Sequence, residues 1–111
     1  MPVATFEDFE KLDIRAGVVL NAEKNLKARK PAYILRIDFG PEIGIKSSSG
    51  QFTDCYAAED LVGKTVLGVV NFPPKKIAGC LSEVLVLGVY ARQGVVLLQP
   101  EQGVERGDRV G

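Results

Sequence analysis

The chain has 111 residues, with 14 basic and 14 acidic side chains and a formal net charge of zero. Its apolar share of 46% is ordinary for a globular protein and excludes a largely disordered chain. This length suits one domain that buries roughly 65% of the surface its unfolded chain exposes. Because bulk basicity is absent, a nucleic-acid-binding function would require the charges to be segregated.

The sequence lacks residues that several functional classes of protein require. The sequence has no histidine for general base work and no phosphate-binding loop of the G-x-x-x-x-G-K-[ST] type. Cys55 and Cys80 stand far apart without metal-ligand spacing, so we expect two buried, reduced thiols and no metal or other cofactor. From the residues at the start of the chain and the short apolar runs, we expect neither a signal peptide nor a membrane-spanning segment. We therefore expect a cytoplasmic, non-enzymatic binding module that does not engage a membrane.

The first third of the chain predicts a helix and two strands. Thr5 and Asp8 have the spacing of a capping box, which predicts a short helix. Tyr33–Phe39 alternates as a half-buried strand and is followed by a turn at Gly40-Pro41. Between the helix and this strand, alternating apolar residues predict an earlier strand. Its buried face would be formed by Ile14, Ala16, Val18, Leu20 and Ala22.

The remaining elements are short and separated by turn residues. Gly63 is expected in a left-handed conformation at the end of a helix. The predicted elements, in chain order, are a strand at Ile43–Ser48, a helix at Ala57–Val62, a doubly buried strand at Thr65–Val70, strands at Val84–Val89 and Val95–Gln99, and a closing segment at Gly107–Val110. Five short strands with a helix between the third and fourth favour an all-β, five-stranded OB-fold Greek-key barrel. Residues 1–111 would form this single domain, with short N- and C-terminal extensions.

The basic residues are concentrated in two segments. Lys24–Lys30 (KNLKARK) has four bases and no acid, and Lys75-Lys76 follows the proline pair Pro73-Pro74. Solvated loops are the simple explanation for either segment alone. In an OB-fold, however, both would lie in the two loops that flank the ligand face. This coincidence favours nucleic-acid binding.

The sequence resembles the tRNA-binding domain family of OB-folds. The resemblance covers nearly the whole chain and is carried by Phe9–Gly17 (FEKLDIRAG), Leu61–Lys64 (LVGK), Val69–Gly79 (VVNFPPKKIAG) and Ser82-Glu83. Within the family, it is most similar to the CsaA group of small secretion-related chaperones, through Ile43–Ser48 (IGIKSS), Asn71–Pro74 (NFPP) and Ser82–Gly88 (SEVLVLG).

The resemblance implies a homodimer that binds tRNA and acts as a chaperone toward unfolded or exported polypeptides. The predicted RNA-binding residues are Lys30, Asn71, Lys75, Lys76, Ser82 and Glu83. The apolar candidates for peptide binding are Phe72 and Leu81, although a place in the core or in a dimer interface is the favoured explanation for Phe72. A peptide-binding export chaperone with weak RNA binding is the alternative function.

These residue types suit the proposed contacts. Lysines supply charge to phosphates without reading sequence. Ser82 can donate to and accept from a base edge or a 2′-hydroxyl. Glu83 can accept from an exocyclic amine or instead hold Lys76 or Arg36 in place. Ser47-Ser48 could line the same face, but a turn at a strand end is the commoner explanation. With five Phe, three Tyr and no Trp, a broad stacking platform for single strands is not expected.

Overall fold

The computed structural model describes residues 1–111 and contains two short helices and nine strands. In chain order these are α1 (Phe6–Glu10), β1 (Ile14–Lys24), β2 (Tyr33–Asp38), β3 (Ile45–Gly50), α2 (Ala58–Leu61), β4 (Thr65–Val69), β5 (Lys75–Ile77), β6 (Cys80–Ser82), β7 (Leu85–Val86), β8 (Gly88–Ala91) and β9 (Gly94–Leu97).

Five strands form one antiparallel sheet in the order β3-β2-β1-β4-β7. The sheet curls into a nearly closed barrel, with α2 on the connection between β3 and β4. β5 pairs with β6, and β8 pairs with β9, as two separate hairpins. The predicted all-β, five-stranded barrel is therefore confirmed.

The core lies inside this barrel and is built largely from one face of β2. Tyr33, Leu35, Ile37 and Phe39 are each less than 5% exposed, as the alternation predicted. Side chains from the other strands and from α2 complete the core: Val19, Phe52, Leu61, Val66, Val84 and Leu97.

The predicted core face of β1 is wrong at Val18 and Leu20. The pairing with β2 shifts between Val19 and Asn21, so Leu20 lies at a β-bulge and is 41% exposed. A bulge inserts one residue and reverses the alternation. Val19, which precedes the bulge, enters the core instead of Val18, and Ala22 packs against the core after the bulge. Gly17 shares this inner face, where an added Cβ would lie 2.7 Å from atoms of Ile37 and Phe39.

Two other predicted strands have different bounds. β3 begins at Ile45, two residues later than predicted, because residues 41–43 form a turn and Gly44 has a φ of +89°. The predicted fifth strand is divided at Leu87. β7 pairs with β4, whereas β8 leaves the barrel to pair with β9, so one sequence segment serves two sheets.

Three features predicted from local sequence signals are present: the capping box of α1, the left-handed glycine after α2 and the closing segment. Thr5 and Asp8 form both hydrogen bonds of a capping box, and Gly63 has a φ of +88° after α2. The closing segment pairs with β1, since Ala16 N–H donates to the Asp108 carbonyl at 2.9 Å. No helix in the structure is both long enough and apolar enough to cross a membrane.

Candidate nucleic-acid interface

The segment after the proline pair is a β-hairpin rather than an open loop. β5 and β6 pair through Lys75 with Ser82, Lys76 with Leu81, and Ile77 with Cys80. Ala78 and Gly79 at the tip have φ angles of 47° and 80°. Two successive positive φ angles are typical of the type I′ turn, whose twist matches that of the flanking strands. The lysine pair is therefore held on a defined scaffold.

The hairpin separates the predicted site residues onto two faces. Because alternate residues of a strand point to opposite sides, Lys76 and Leu81 face away from Lys75 and Ser82. The face of the hairpin that carries Lys75, Ile77 and Ser82 closes a pocket of about 250 Å³. The pocket is lined by Ser49, Phe72, Pro73, Lys75, Ile77, Ser82, Glu83, Val84 and Leu85. The structure thus brings four of the predicted residues, Phe72, Lys75, Ser82 and Glu83, to one pocket.

The basic loop at 24–30 lies against the tip of this hairpin. A Cβ added at Gly79 would be 2.9 Å from Cδ of Lys27, so the Lys27 stem passes directly over the turn. Lys27 was not among the predicted RNA-binding residues, whereas Lys30 was. The sequence signal was present, because Lys27 belongs to the same basic run, but only the fold shows which lysine of the run meets the hairpin.

Asn25 shapes the basic loop from within. It is 7% exposed, and its Oδ1 accepts a hydrogen bond from Lys27 N–H at 3.1 Å. Its backbone N–H donates to the Ala32 carbonyl at 2.9 Å, which closes the base of the loop. An asparagine that bonds the backbone two residues on forms a turn of its own. The loop cations are therefore presented by an ordered turn.

None of the cations in the two basic segments is paired with a carboxylate. The four ion pairs of the structure join Asp13 to Arg15 and to Arg109, Lys46 to Glu83, and Asp38 to Arg106. The exposed cations of the two basic segments are Lys24, Lys27, Arg29, Lys30, Lys75 and Lys76. We call these six residues the basic surface.

Ser82 and Glu83 are engaged with β3. Ser82 Oγ accepts a hydrogen bond from Ser49 N–H at 3.1 Å, and Glu83 Oε1 accepts one from Ser47 N–H at 3.1 Å. Glu83 N–H also donates to the Ser47 carbonyl at 2.8 Å. These bonds close the seam between β3 and the hairpin, where no continuous backbone ladder exists.

The ionic partner of Glu83 differs from the predicted ones. Its Oε2 lies 3.8 Å from Lys46 Nζ, and no ion pair joins Glu83 to Lys76 or Arg36. The adjacent serines belong to β3 rather than to a turn after it. Ser48 is buried and its hydroxyl donates to the Val84 carbonyl at 2.9 Å, so it also holds the seam.

The other candidates lie at the edges of the site. The Asn71 amide is engaged, because it accepts from Asp13 N–H at 2.9 Å and donates to the Lys11 carbonyl at 2.7 Å. It therefore ties the root of the hairpin to the segment after α1. Phe72 is 43% exposed and Leu81 53%, so Phe72 is not a core residue.

The two thiols are half-buried rather than fully buried as predicted. Cys80 lies in β6, and burial raises the pKa of its thiol, with further increases from Glu23 and Glu83. A raised pKa keeps the thiol protonated and unreactive near neutral pH. Cys55 Sγ donates a weak hydrogen bond to the Gln93 carbonyl at 3.5 Å.

Comparison with known proteins identifies close relatives. Residues 14–109 match the tRNA binding domain family. The fold is similar to that of the CsaA chaperone protein from Picrophilus torridus, with a TM-score of 0.94, 48% identity, and coverage of 98% of this chain and 100% of that chain. It is also similar to the chaperone CsaA from Bacillus anthracis, with a TM-score of 0.88, 50% identity, and coverage of 99% and 100%.

Longer enzymes contain a similar segment. The methionine–tRNA ligase of Archaeoglobus fulgidus is 40% identical over 106 residues, which make up 96% of this chain. The match covers only 16% of that enzyme. This chain therefore spans about a sixth of such relatives.

Proposed function

The chain belongs to the tRNA-binding domain family, and we propose that it binds tRNA without catalysis, as a cytoplasmic homodimer with a chaperone role toward unfolded or exported polypeptides. The RNA would lie across the hairpin and the basic loop. Lys30, Lys75 and Lys76 are the predicted phosphate contacts, and Lys27 joins them.

The observation that carries this proposal is that two basic segments, with six exposed and unpaired cations between them, meet at the hairpin tip, where Lys27 lies against Gly79. The chain has no net charge, yet its four ion pairs all lie outside the basic surface. A cation without a carboxylate partner is free to neutralise phosphate and release counterions. Charge is thus segregated as a neutral nucleic-acid-binding protein requires.

Salt dependence tests the proposal. Affinity for tRNA should fall as salt rises, with a shallow slope equivalent to about 3–5 phosphates per protomer. Lys76→Ala should weaken binding by about 1 kcal/mol and reduce the slope by roughly one unit. Fluorescence anisotropy with labelled tRNA at several salt concentrations measures both quantities.

Lys11→Ala provides a matched control for this variant. Lys11 is an exposed lysine at the end of the acidic helix α1 and belongs to neither basic segment. Its removal should leave both affinity and slope unchanged. Salt-independent tRNA binding, or equal effects of the two variants, would contradict the proposal.

Peptide binding is the second candidate, and the exposure of Phe72 and Leu81 favours it. Phe72 lines the pocket and is 43% exposed, and Leu81 is 53% exposed on the opposite face of the hairpin. If an unfolded polypeptide is the main ligand, Leu81→Ser should abolish its binding whereas Lys76→Ala should have little effect. Higher salt would then leave the affinity unchanged or raise it slightly. Titration of a reduced, unfolded polypeptide alongside tRNA distinguishes the two ligands.

A further inference from the structure

The pocket under the hairpin has the size of a subsite for one small group. Its volume is about 250 Å³, below the ~300 Å³ at which sites for drug-sized ligands begin. Phe72 and Pro73 form one wall, and Ile77 and Leu85 add further apolar surface. There is room for one planar ring system or one side chain, and the polar residues at its edge distinguish the two.

We infer that this pocket receives one unstacked nucleobase of the bound RNA, with guanine preferred, an inference that rests on the proposed function. The pocket opens beside Lys75, which belongs both to its lining and to the basic surface. A nucleotide whose phosphate contacts Lys75 would place its base at this opening.

The apolar wall suits the face of a base. Phe72 is exposed enough to stack with an incoming ring, and no aromatic side chain of the protein already stacks on it. Stacking on an aromatic side chain tolerates every base, because each has a π-face. Phe72 therefore supplies affinity, and discrimination must come from the polar groups.

Glu83 supplies the discrimination. Its carboxylate accepts one hydrogen bond from Ser47 and lies 3.8 Å from Lys46 Nζ, which leaves acceptor sites unused. Guanine presents two adjacent donors, N1–H and the N2 amine, that match a carboxylate. Uracil presents one N–H between two carbonyls, which the carboxylate would repel. An aliphatic peptide side chain would leave the carboxylate facing apolar atoms, at a desolvation cost.

Short oligonucleotides test the subsite directly. The probes are uridine heptamers whose central residue is guanosine, inosine or uridine, titrated by fluorescence anisotropy at low salt. The guanosine heptamer should bind about tenfold more tightly than the uridine heptamer. Inosine lacks the N2 amine and should fall between them.

Three variants and one control variant assign the effect to residues. Phe72→Ala should weaken binding of the guanosine heptamer about tenfold. The control Val62→Ala removes an equally exposed apolar side chain, 48% against 43%, elsewhere on the surface and should change nothing. Glu83→Gln retains an oxygen for Ser47 N–H but loses the carboxylate, so the preference for guanosine over inosine should disappear. Phe72→Leu keeps apolar volume without the ring and should resemble Phe72→Ala, which excludes an unfolding artefact.

The outcomes separate this inference from the proposed function. Salt-sensitive tRNA binding with no effect of Phe72→Ala, or with no preference among the heptamers, would overturn the nucleobase subsite alone. Loss of polypeptide binding but not of heptamer binding in Phe72→Ala would assign the pocket to a peptide side chain and overturn it as well. Failure of the wild-type protein to bind any RNA would overturn both.

Discussion

At the scale of single residues, chemistry alone did not decide how Ser82 and Glu83 are used. A hydroxyl and a carboxylate beside two lysines suggested direct RNA contacts. The structure gives both side chains backbone N–H donors of β3 as partners. These donors lie on a strand edge that lacks a full backbone neighbour, and buried or half-buried N–H groups need acceptors. Sequence spacing cannot show this need, because Ser47 and Glu83 are 36 residues apart.

Substitution of Glu83 should therefore affect stability as well as binding. Glu83→Ala leaves Ser47 N–H without its side-chain acceptor and should lower the free energy of unfolding by about 1–2 kcal/mol. Glu83→Gln keeps an acceptor and should lose less. Urea denaturation followed by circular dichroism measures the difference.

Glu101→Ala is the control for Glu83→Ala, because Glu101 is exposed and makes no hydrogen bond or ion pair. Its unfolding midpoint should match that of the wild type. An equal loss in both alanine variants would show that the seam bonds of Glu83 do not contribute to stability.

At the scale of elements, the strands of regular alternation were predictable and the interrupted ones were not. Along β2 and the residue after it, Phe39, four apolar residues alternate strictly, and all four enter the core. The even-numbered residues of β1 alternate equally well in sequence, but Val19 rather than Val18 enters the core, and the bulge at Leu20 then moves the core face to Ala22. A bulge depends on the register with β2, which is a property of two strands. The hairpin β5–β6 was likewise missed because the proline pair suggested an irregular connection, whereas pairing begins directly after it at Lys75.

The hairpin tip provides an element-scale test of how the two basic segments cooperate. Gly79→Ala introduces a side chain at a φ of 80° and places Cβ 2.9 Å from Lys27 Cδ. The left-handed backbone should cost about 1–2 kcal/mol of stability. Displacement of Lys27 should in addition weaken tRNA binding, which anisotropy measures.

Gly63→Ala reproduces the stability cost of the tip substitution without displacing Lys27. Comparison of the two variants therefore isolates the effect on RNA binding. Gly63 has a similar φ of 88°, but an added Cβ there has no atom within 4 Å. This variant should lose comparable stability and keep its tRNA affinity. Equal affinities of the Gly79 and Gly63 variants would show that the position of Lys27 against the tip does not matter for RNA binding.

At the scale of the whole molecule, the fold class made the proximity of the two basic segments predictable. Neither basic segment was informative alone, and their proximity followed only from assigning them to the two loops that flank an OB-fold ligand face. The structure places Lys27 against Gly79 across that face. The pocket could not have been predicted in this way, because it depends on how closely the hairpin packs on β3.

The surface formed by α1 and the C-terminal tail is the proposed dimer interface. Phe6 is 72% exposed and Phe9 37%, with ring centroids 6.4 Å apart, and no residue of α1 is buried. The guanidinium of Arg109 donates to the carbonyls of Glu10 and Leu12, so the tail adjoins the helix. Burial of each phenylalanine against a second copy would contribute about 1.5–3 kcal/mol. A two-fold contact repeats each contribution, since both protomers present the same patch.

Light scattering at low micromolar concentration should therefore give twice the chain mass of 12.0 kDa. The double variant Phe6→Ser with Phe9→Ser should give the mass of one chain while keeping its circular dichroism spectrum, because neither ring belongs to the core. The β8–β9 hairpin offers the competing apolar surface, with Val89 50% and Tyr90 94% exposed. Val89→Ser with Tyr90→Ser should leave the dimer intact. If only this second variant dissociates, the interface lies on the β8–β9 hairpin, and a wild-type mass of one chain would refute the dimer itself.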